Sequence, residues 1–590
     1  MKPHLQALVR AALQPVLAGS GVSAPDSIAI DATKDAKHGD FATNVALALA
    51  KALNQPPRAV AELIVKHLPA SSRVARTEIA GPGFINFFLA PGALQAVVTE
   101  ILATRETFGH APKTRGKVMV EFVSANPTGP LHVGHGRGAA FGDSIANILD
   151  AAGWQVHREY YINDAGRQVD VLAVSVWLRY LELCGETVRM PTRGYPGDYI
   201  KATAAKLREG SADALRRGAA EIFAGLPDEP PGREDLDEAT GENVKAQQEA
   251  YADALIARAQ ALLGARYETL RAFAIKDQLD AIRVTLDAFG VRFDQWYSER
   301  ELVRSGAADR ARAKLVASGH TYEKDGALWF RTTEHGDDKD RVLIRANGAP
   351  TYFGNDLAYH VDKLERGYPA LIDVWGADHH GLLVRMRAAI WSLTGRENVL
   401  RIPIIQFVTL SSGRMGKRSG NFVTLSDLVS EAGRDETRFF YLLRSADQHL
   451  EFDIELARSK TNDNPVYYVQ YACARIASVF RQAAERDVTW AAASAAGAVH
   501  RLVEPHEKAL LTLLNRYPEL LQDVAAQLTP HTVAYYLRDV ADAFHSYYNV
   551  HQFLVEDVQL RDARLALVAA TGQVLKNGLG LLGVSAPEKM

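Results

Sequence analysis

Cysteine is scarce. Only Cys184 and Cys473 occur among 590 residues, too few and too far apart for a disulfide framework or for a zinc site built on paired cysteines. That usage suits a reducing cytoplasm. Charge of one sign is also lacking. The formal net charge is −3, so no basic field advertises nucleic acid and no polyacidic tail is present. No stretch approaches the ~18 consecutive apolar residues of a membrane span. There is no internal repeat or low-complexity tract, and a 47% hydrophobic share excludes wholesale disorder.

The chain is long enough for several domains, at ~150 residues each. Its opening, MKPHLQALVRAALQPVLAG, superficially resembles a signal peptide. However, Leu5, Leu8, Val9, Ala12, Leu13 and Val16 share one helical face and Arg10 interrupts the apolar run, so it is expected to be a helix of the mature protein. Residues 38–68 read as two helices split at Pro56-Pro57. GPGFINFFLA (81–90) alternates as a half-buried strand does. Residues 1–110 are therefore expected to form a small α+β domain.

From Val118 the character changes. A short apolar run to Val123 suits a buried strand, SANPTGPLHVGHGRG suits a turn, and Phe141, Ile145, Ile148, Leu149 and Ala152 mark one face of a helix stopped at Gly153. A second strand, 154–162, follows at once. Strand–turn–helix–strand opens a parallel sheet with crossover helices. Residues 181–270 are Ala/Glu/Arg-rich and read as a helical insertion. LWFRTT and RVLIRANG flank a charged turn as a hairpin, and the chain is helical from about 455, with Val466, Val469, Cys473, Ile476 and Phe480 as one stripe.

Two segments carry chemistry. His132-Val-Gly-His135 opens a helix, followed by Gly136, Arg137 and Gly138. Free N–H groups and the positive dipole end favour phosphate there, and glycines allow close approach. Gly134-x-Gly136-x-x-Ala139 also fits a loose dinucleotide fingerprint, a weak match. The second segment is Gly413-Arg414-Met415-Gly416-Lys417-Arg418, a cationic loop between glycines suited to a polyphosphate. It lacks the terminal Ser/Thr of a Walker A loop.

Paired, HVGH and RMGKR resemble the HIGH and KMSKR signatures of class I aminoacyl-tRNA synthetases. VEFVSANPTGPLHVGHGRGAAFGDSIANIL, YYINDAG, YPGDYI, TYFGNDLAYH, VWGADHHG, GKRSGNFVTLSDL and NDNPVYYVQYACARI, in this order along the chain, resemble the bacterial-type arginyl-tRNA synthetase family. The resemblance implies a multidomain α/β protein. It comprises a tRNA-contacting N-terminal domain (1–110), a Rossmann-type parallel-sheet catalytic domain (111–455) with a connective insertion (181–270), and an all-α anticodon-binding bundle of the DALR type (456–590).

It implies an ATP-dependent arginine–tRNA ligase that forms arginyl-adenylate and then charges tRNA-Arg, with ATP and Mg2+, no zinc, no membrane association, a cytoplasmic location and a monomeric state. By the same resemblance, His132 and His135 act on the phosphates, with Lys417 and Arg418 holding pyrophosphate. Gly134, Gly136, Gly138, Arg414, Met415 and Gly416 contribute to the ATP site. Glu121, Ser124, Asn126, Tyr352, Asp356 and His379 form the arginine pocket. Arg414 and Gly416 stand where the family's loop has Lys and Ser. No lysine lies between Asn126 and His132, so Lys417 is expected to act alone.

Guanidinium pairs best with carboxylates in a bidentate fork, which is the physical reason for Glu121 and Asp356. No editing domain is expected, since unpaired buried partners already reject analogues by ~10⁴-fold. Residues 456–590 hold 13 Lys+Arg and 13 Asp+Glu, so RNA contact there must rest on a local patch. Tyr467, Tyr468, Tyr471, Tyr535, Tyr536, Tyr547, Tyr548 and Phe553 are candidates for stacking on bases, although many must be core. A dinucleotide oxidoreductase would leave RMGKRSGN and the helical C-terminus unexplained. A silent RNA-binding paralogue would not need both histidines and Lys417.

Overall fold

The computed structural model describes residues 1–25, 27–33, 36–90, 92–229, 238–348, 351–411 and 423–590. These divide into two compact units, one of Met1–Pro112 with Ser459–Met590 and one of Lys113–Arg458. No described helix is long and apolar enough to cross a membrane.

In the first unit, the strands Asp31–Ala32, Phe41–Thr43, Phe84–Leu89 and Val74–Ala80 lie in that order as an antiparallel sheet. Helices Lys2–Leu17, Val45–Leu53 and Pro57–His67 supply the rest of its core. Leu5, Val9, Ala12 and Leu13 of the expected apolar face are fully buried. The two helices split where the prolines stand: Asn54 turns left-handed at φ 50° and Pro57 opens the next helix. Phe84–Leu89 departs from simple alternation. Ile85, Asn86 and Phe87 are all buried, because the strand is an inner one paired on both sides.

The same unit contains the long helices Pro465–Glu485, Pro505–Gln527, His531–Val550 and Val558–Leu581. Val466 and Val469 of the predicted stripe are wholly buried, while Phe480 is half-buried against Trp490. Tyr536, Tyr547 and Phe553 belong to the core, and the Tyr536 and Tyr547 hydroxyls donate to the Leu513 carbonyl and to Glu507. Tyr467, Tyr468, Tyr471, Tyr535 and Tyr548 reach the surface.

The second unit is built on a five-stranded parallel sheet in the order Leu400–Arg401, Leu371–Asp373, Lys117–Glu121, Gln155–Ile162, Gln295–Ser298. The strand Lys117–Glu121 is the central one, and the crossover helix Val133–Ala151 returns from it to Gln155–Ile162. The strand is shorter than the apolar run suggests. It stops at Glu121, and Val123 and Ser124 take positive φ of 68° and 40°. For a β-branched residue that conformation is strained and must be held by its surroundings.

Helices Arg167–Leu183, Asp198–Ser211, Glu238–Leu263 and Ala265–Ala288 pack around a core that includes Trp177, Tyr180, Tyr251 and Leu270. The expected hairpin is Ala327–Phe330 paired antiparallel with Arg341–Ile344, and Thr321–Lys324 adds a third strand.

Candidate active site

In-register pairing sets Asp373, Glu121 and Glu159 side by side on three adjacent strands, the first two at their strands' carboxyl ends and Glu159 within Gln155–Ile162. Three neighbouring carboxylates would repel one another if bare. One helix, Tyr352–Glu365, and the residue after it answer them. Lys363 Nζ donates to Glu121 Oε2 at 2.6 Å and to both Asp373 oxygens at 2.8 and 2.9 Å. His360 Nε2 lies 2.6 Å from Asp373 Oδ2. Arg366 grips Glu159 bidentately at 2.6 and 2.8 Å, and the Tyr359 hydroxyl adds a bond of 2.6 Å. Helical spacing from 359 to 366 puts all four groups on one face.

The charges do not cancel everywhere. Burial pushes the Asp373 carboxyl up, but Lys363 and His360 outweigh it and hold its pKa at about 2. Burial raises the pKa of Glu121 more than Lys363 lowers it. Glu121 Oε1 accepts only the Ser124 hydroxyl (2.9 Å) among the described hydrogen bonds, and that hydroxyl oxygen accepts Tyr161 N–H (3.1 Å). The left-handed turn at Val123–Ser124 makes this return contact possible.

Asp356 lies on the same helix, and burial, helped by the negative charge of Glu121, raises its pKa to about 6. Glu299 was not anticipated from the sequence. Burial, then Asp164 and Asp356, push its pKa up to about 7. With its amide turned so that the nitrogen faces Glu299, Asn163 donates to Glu299 Oε2 at 2.6 Å. Tyr161, also unanticipated, has its hydroxyl pKa raised by burial and by Glu299, Asp356 and Glu121. Glu121, Asp356 and Glu299 lie near enough for their charges to act on one another and on Tyr161, an arrangement that favours a bound cation. Glu299 follows a strand end, where a sequence reading sees only an acidic first helical turn.

Other candidates fall nearby or elsewhere. Asn126 Nδ2 donates to Gln168 Oε1 at 2.8 Å. His379 is exposed, beside Asp378, and its charge acts on Asp356. The Tyr352 side chain lies outside the described residues, as do Arg414, Met415, Gly416, Lys417 and Arg418.

His132 and His135 cap the crossover helix reciprocally. His132 Nδ1 accepts the Gly134 and His135 N–H groups at 3.1 and 3.3 Å, and His135 Nδ1 accepts the His132 N–H at 3.2 Å. Their rings stack with centroids 3.6 Å apart. Because each Nδ1 accepts, each neutral ring carries its proton on Nε2. Burial, then His132, lowers the His135 pKa to about 3, and burial also lowers that of His132. The pair thus presents two neutral N–H donors rather than two cations.

Gly136 is required for packing, since a Cβ there would lie 2.5 Å from Leu425 Cδ1 and 3.0 Å from the Tyr441 hydroxyl. Gly134 lies against the His132 ring, whereas Gly138 has open space around it. The chain on the carboxyl side of the cationic loop is bonded to this helix start. Val133 N donates to Val423 O (3.3 Å), Leu425 N to Leu131 O (2.8 Å), and His132 bridges to Thr424. Buried Arg137 donates to the carbonyls of Gln406, Gln448 and Ser445 at 2.7–2.9 Å.

Comparison with known proteins agrees with the resemblance. Residues 3–89 match the arginyl-tRNA synthetase N-terminal domain, 97–192 the class I (R) synthetase catalytic domain and 469–590 the DALR anticodon-binding domain. The chain is 51% identical over 601 residues to the arginine–tRNA ligase of Thioalkalivibrio sulfidiphilus, with 100% of both chains covered. The chain belongs to the arginyl-tRNA synthetase family. Another family member, the arginine–tRNA ligase of Halorhodospira halophila, is 49% identical over the full length of both chains. The solved arginyl-tRNA synthetase of Thermus thermophilus superposes with a TM-score of 0.73 at 25% identity, covering 100% of each chain. As an arginyl-tRNA synthetase, the chain is an ATP-dependent class I aminoacyl-tRNA ligase with a parallel-sheet catalytic domain and a helical DALR domain.

Proposed function

We propose that the chain activates L-arginine at the pocket between Glu121, Asp356 and Glu299 and then transfers it to the 3′ end of tRNA-Arg. The observation that carries this reading is the group of buried carboxylates Glu121, Asp356 and Glu299, whose charges act on one another and on Tyr161 and of which Asp356 and Glu299 have no described cation bonded to them. The substrate carboxylate is its own nucleophile, so the protein's part is alignment and charge stabilisation.

The guanidinium pairs with Asp356 and Glu121, with Tyr352 beside it. The amino and carboxylate groups lie toward Ser124, Asn126 and His379. ATP enters as its Mg2+ complex, over Gly134, Gly136 and Gly138. The Nε2–H groups of His132 and His135 donate to the phosphates. Lys417, with Arg414, Met415, Gly416 and Arg418, holds the departing pyrophosphate. Surface tyrosines and Arg475, whose guanidinium lies 4.5 Å over Tyr471 and 4.8 Å over Tyr548, offer a stacking surface for anticodon bases. Residues 1–110 contact tRNA, and the enzyme works as a cytoplasmic monomer.

Arginine-dependent ATP–pyrophosphate exchange, with and without tRNA, tests the assignment. Lys417→Ala is expected to slow exchange by about 10²–10³-fold with arginine binding little changed. A near-normal rate removes Lys417 from the mechanism.

A further inference from the structure

A second cluster of ligating side chains lies outside this pocket, on the three-stranded antiparallel sheet. His320 stands just before the strand Thr321–Lys324, and Glu334 and His335 close the turn Thr332–His335 that leaves Ala327–Phe330. Pairing of Thr321 with Phe330, continued by the Arg331 N–H donating to the His320 carbonyl at 2.9 Å, brings the two chain ends together. One ligand atom from each of the three residues lies within 4.8 Å of the others. His320 Nδ1 is 3.1 Å from Glu334 Oε2, close to the ~3.3 Å edge of a tetrahedron with bonds of 2.0–2.1 Å.

The hydrogen bonding around His335 prepares it as a ligand. Its Nε2 lies 3.1 Å from the Ser392 oxygen, and the Ser392 hydroxyl donates to the Ala388 carbonyl at 2.9 Å. With the Ser392 proton on the Ala388 carbonyl, the Ser392 oxygen accepts from His335 in the tautomer that carries its proton on Nε2. That leaves Nδ1 with its lone pair, the tautomer that second-shell partners impose on metal-bound histidines. The His320 and Glu334 side chains are 27% and 49% exposed, so an ion can reach the site and a fourth position is open to water.

We propose that His320, Glu334 and His335 form a zinc-class divalent-metal site that braces the antiparallel sheet. Two imidazoles and one carboxylate suit Zn2+ and its spectroscopic surrogate Co2+ better than Ca2+ or Mg2+. The low cysteine count does not bear on it, because no thiolate takes part. The brace matters to the active site because Thr351, the residue before the Asp356 helix, is tied to this sheet through the carbonyls of Val342 and Leu343.

The test uses the full-length protein, stripped with chelator, and titration with CoCl2 and ZnCl2 alone. One Co2+ is expected to bind with visible d–d absorption, Zn2+ to displace it, and the melting temperature to rise with Zn2+. Glu334→Gln, a conservative change on an exposed side chain, and the double variant His320→Ala/His335→Ala are each expected to lose at least 10-fold in affinity and the thermal shift. Ser392→Ala, which removes only the tautomer-setting partner, is expected to lose about 10-fold. Absence of saturable binding overturns the proposal, as does binding that survives unchanged in the double variant.

Discussion

At the residue scale, the pocket is governed by which carboxylates are already answered. Lys363 is wholly buried between Glu121 and Asp373. Lys363→Met would strip the cation from two buried acids. It is expected to cost about 3–5 kcal/mol, measured by urea denaturation. Asp356 and Glu299 are the opposite case, since no described cation bonds to either. Their raised values, about 6 and about 7, mean that part of each population is protonated near neutrality.

A bound guanidinium favours the ionised forms, so arginine binding releases protons and tightens as pH rises through those values. Without arginine, the same two groups cost stability as pH climbs from their unfolded values near 4. The thermal shift given by arginine is therefore expected to be larger at about pH 8 than at about pH 5. Calorimetry in buffers of different ionisation enthalpy counts the protons. Asp356→Asn should remove the part of the pH dependence centred near 6, leave the part due to Glu299, and raise the arginine KM. Asp356 could be singled out in the sequence by resemblance. Glu299 could not, because its burial among other acids depends on the strand Gln295–Ser298 pairing with the distant Gln155–Ile162.

At the element scale, the crossover helix has to lie very close to its neighbours. Gly142 shows this best, as a Cβ there would meet Phe122 atoms at 2.3–2.5 Å. Gly142→Ala is expected to destabilise by about 1–3 kcal/mol and to displace Phe122, the residue after Glu121. Pairing it with Phe122→Leu should recover part of the loss. A double-mutant cycle in urea measures the coupling.

The helix itself is legible in the sequence. Phe141, Ile145, Ile148 and Leu149 are buried as their spacing predicts, and Gly153 turns the chain at φ 97°. The strand before it ends at Glu121, although the apolar run continues through Phe122 and Val123. Continuity of apolar residues cannot show where the backbone turns left-handed to bring Ser124 back to Glu121. The histidine pair shows a similar limit. Spacing places His132 and His135 on one turn, but their tautomers follow from which backbone N–H groups their Nδ1 atoms accept.

At the scale of the whole molecule, residues far apart in the chain share a unit. Asn515 Nδ2 donates to the Leu94 carbonyl, Gln95 to the Leu502 carbonyl and Asn577 to the Arg105 carbonyl, and Phe108 stacks on Tyr517 at 5.9 Å. Tyr517 is fully buried. Tyr517→Ala is expected to cost about 3–5 kcal/mol. Its effect should appear in the melting of the unit formed by residues 1–112 and 459–590, followed by limited proteolysis. Fragments 1–112 and 459–590, expressed together, are expected to co-purify, and failure to do so would mean that these contacts are too weak to hold the unit.

The sequence by itself determined the elements and the chemistry on offer: helix faces, proline breaks, the glycine-rich helix start and the family to which the chain belongs. These are local, set by side-chain periodicity, backbone freedom and residue type. Tertiary structure alone decided how charge is distributed. Parallel register aligned three carboxylates, one helix neutralised some of them and left Asp356 and Glu299 in surplus, and a hairpin brought two histidines to a glutamate. Burial and pairing depend on what lies opposite in space, and linear spacing does not encode that.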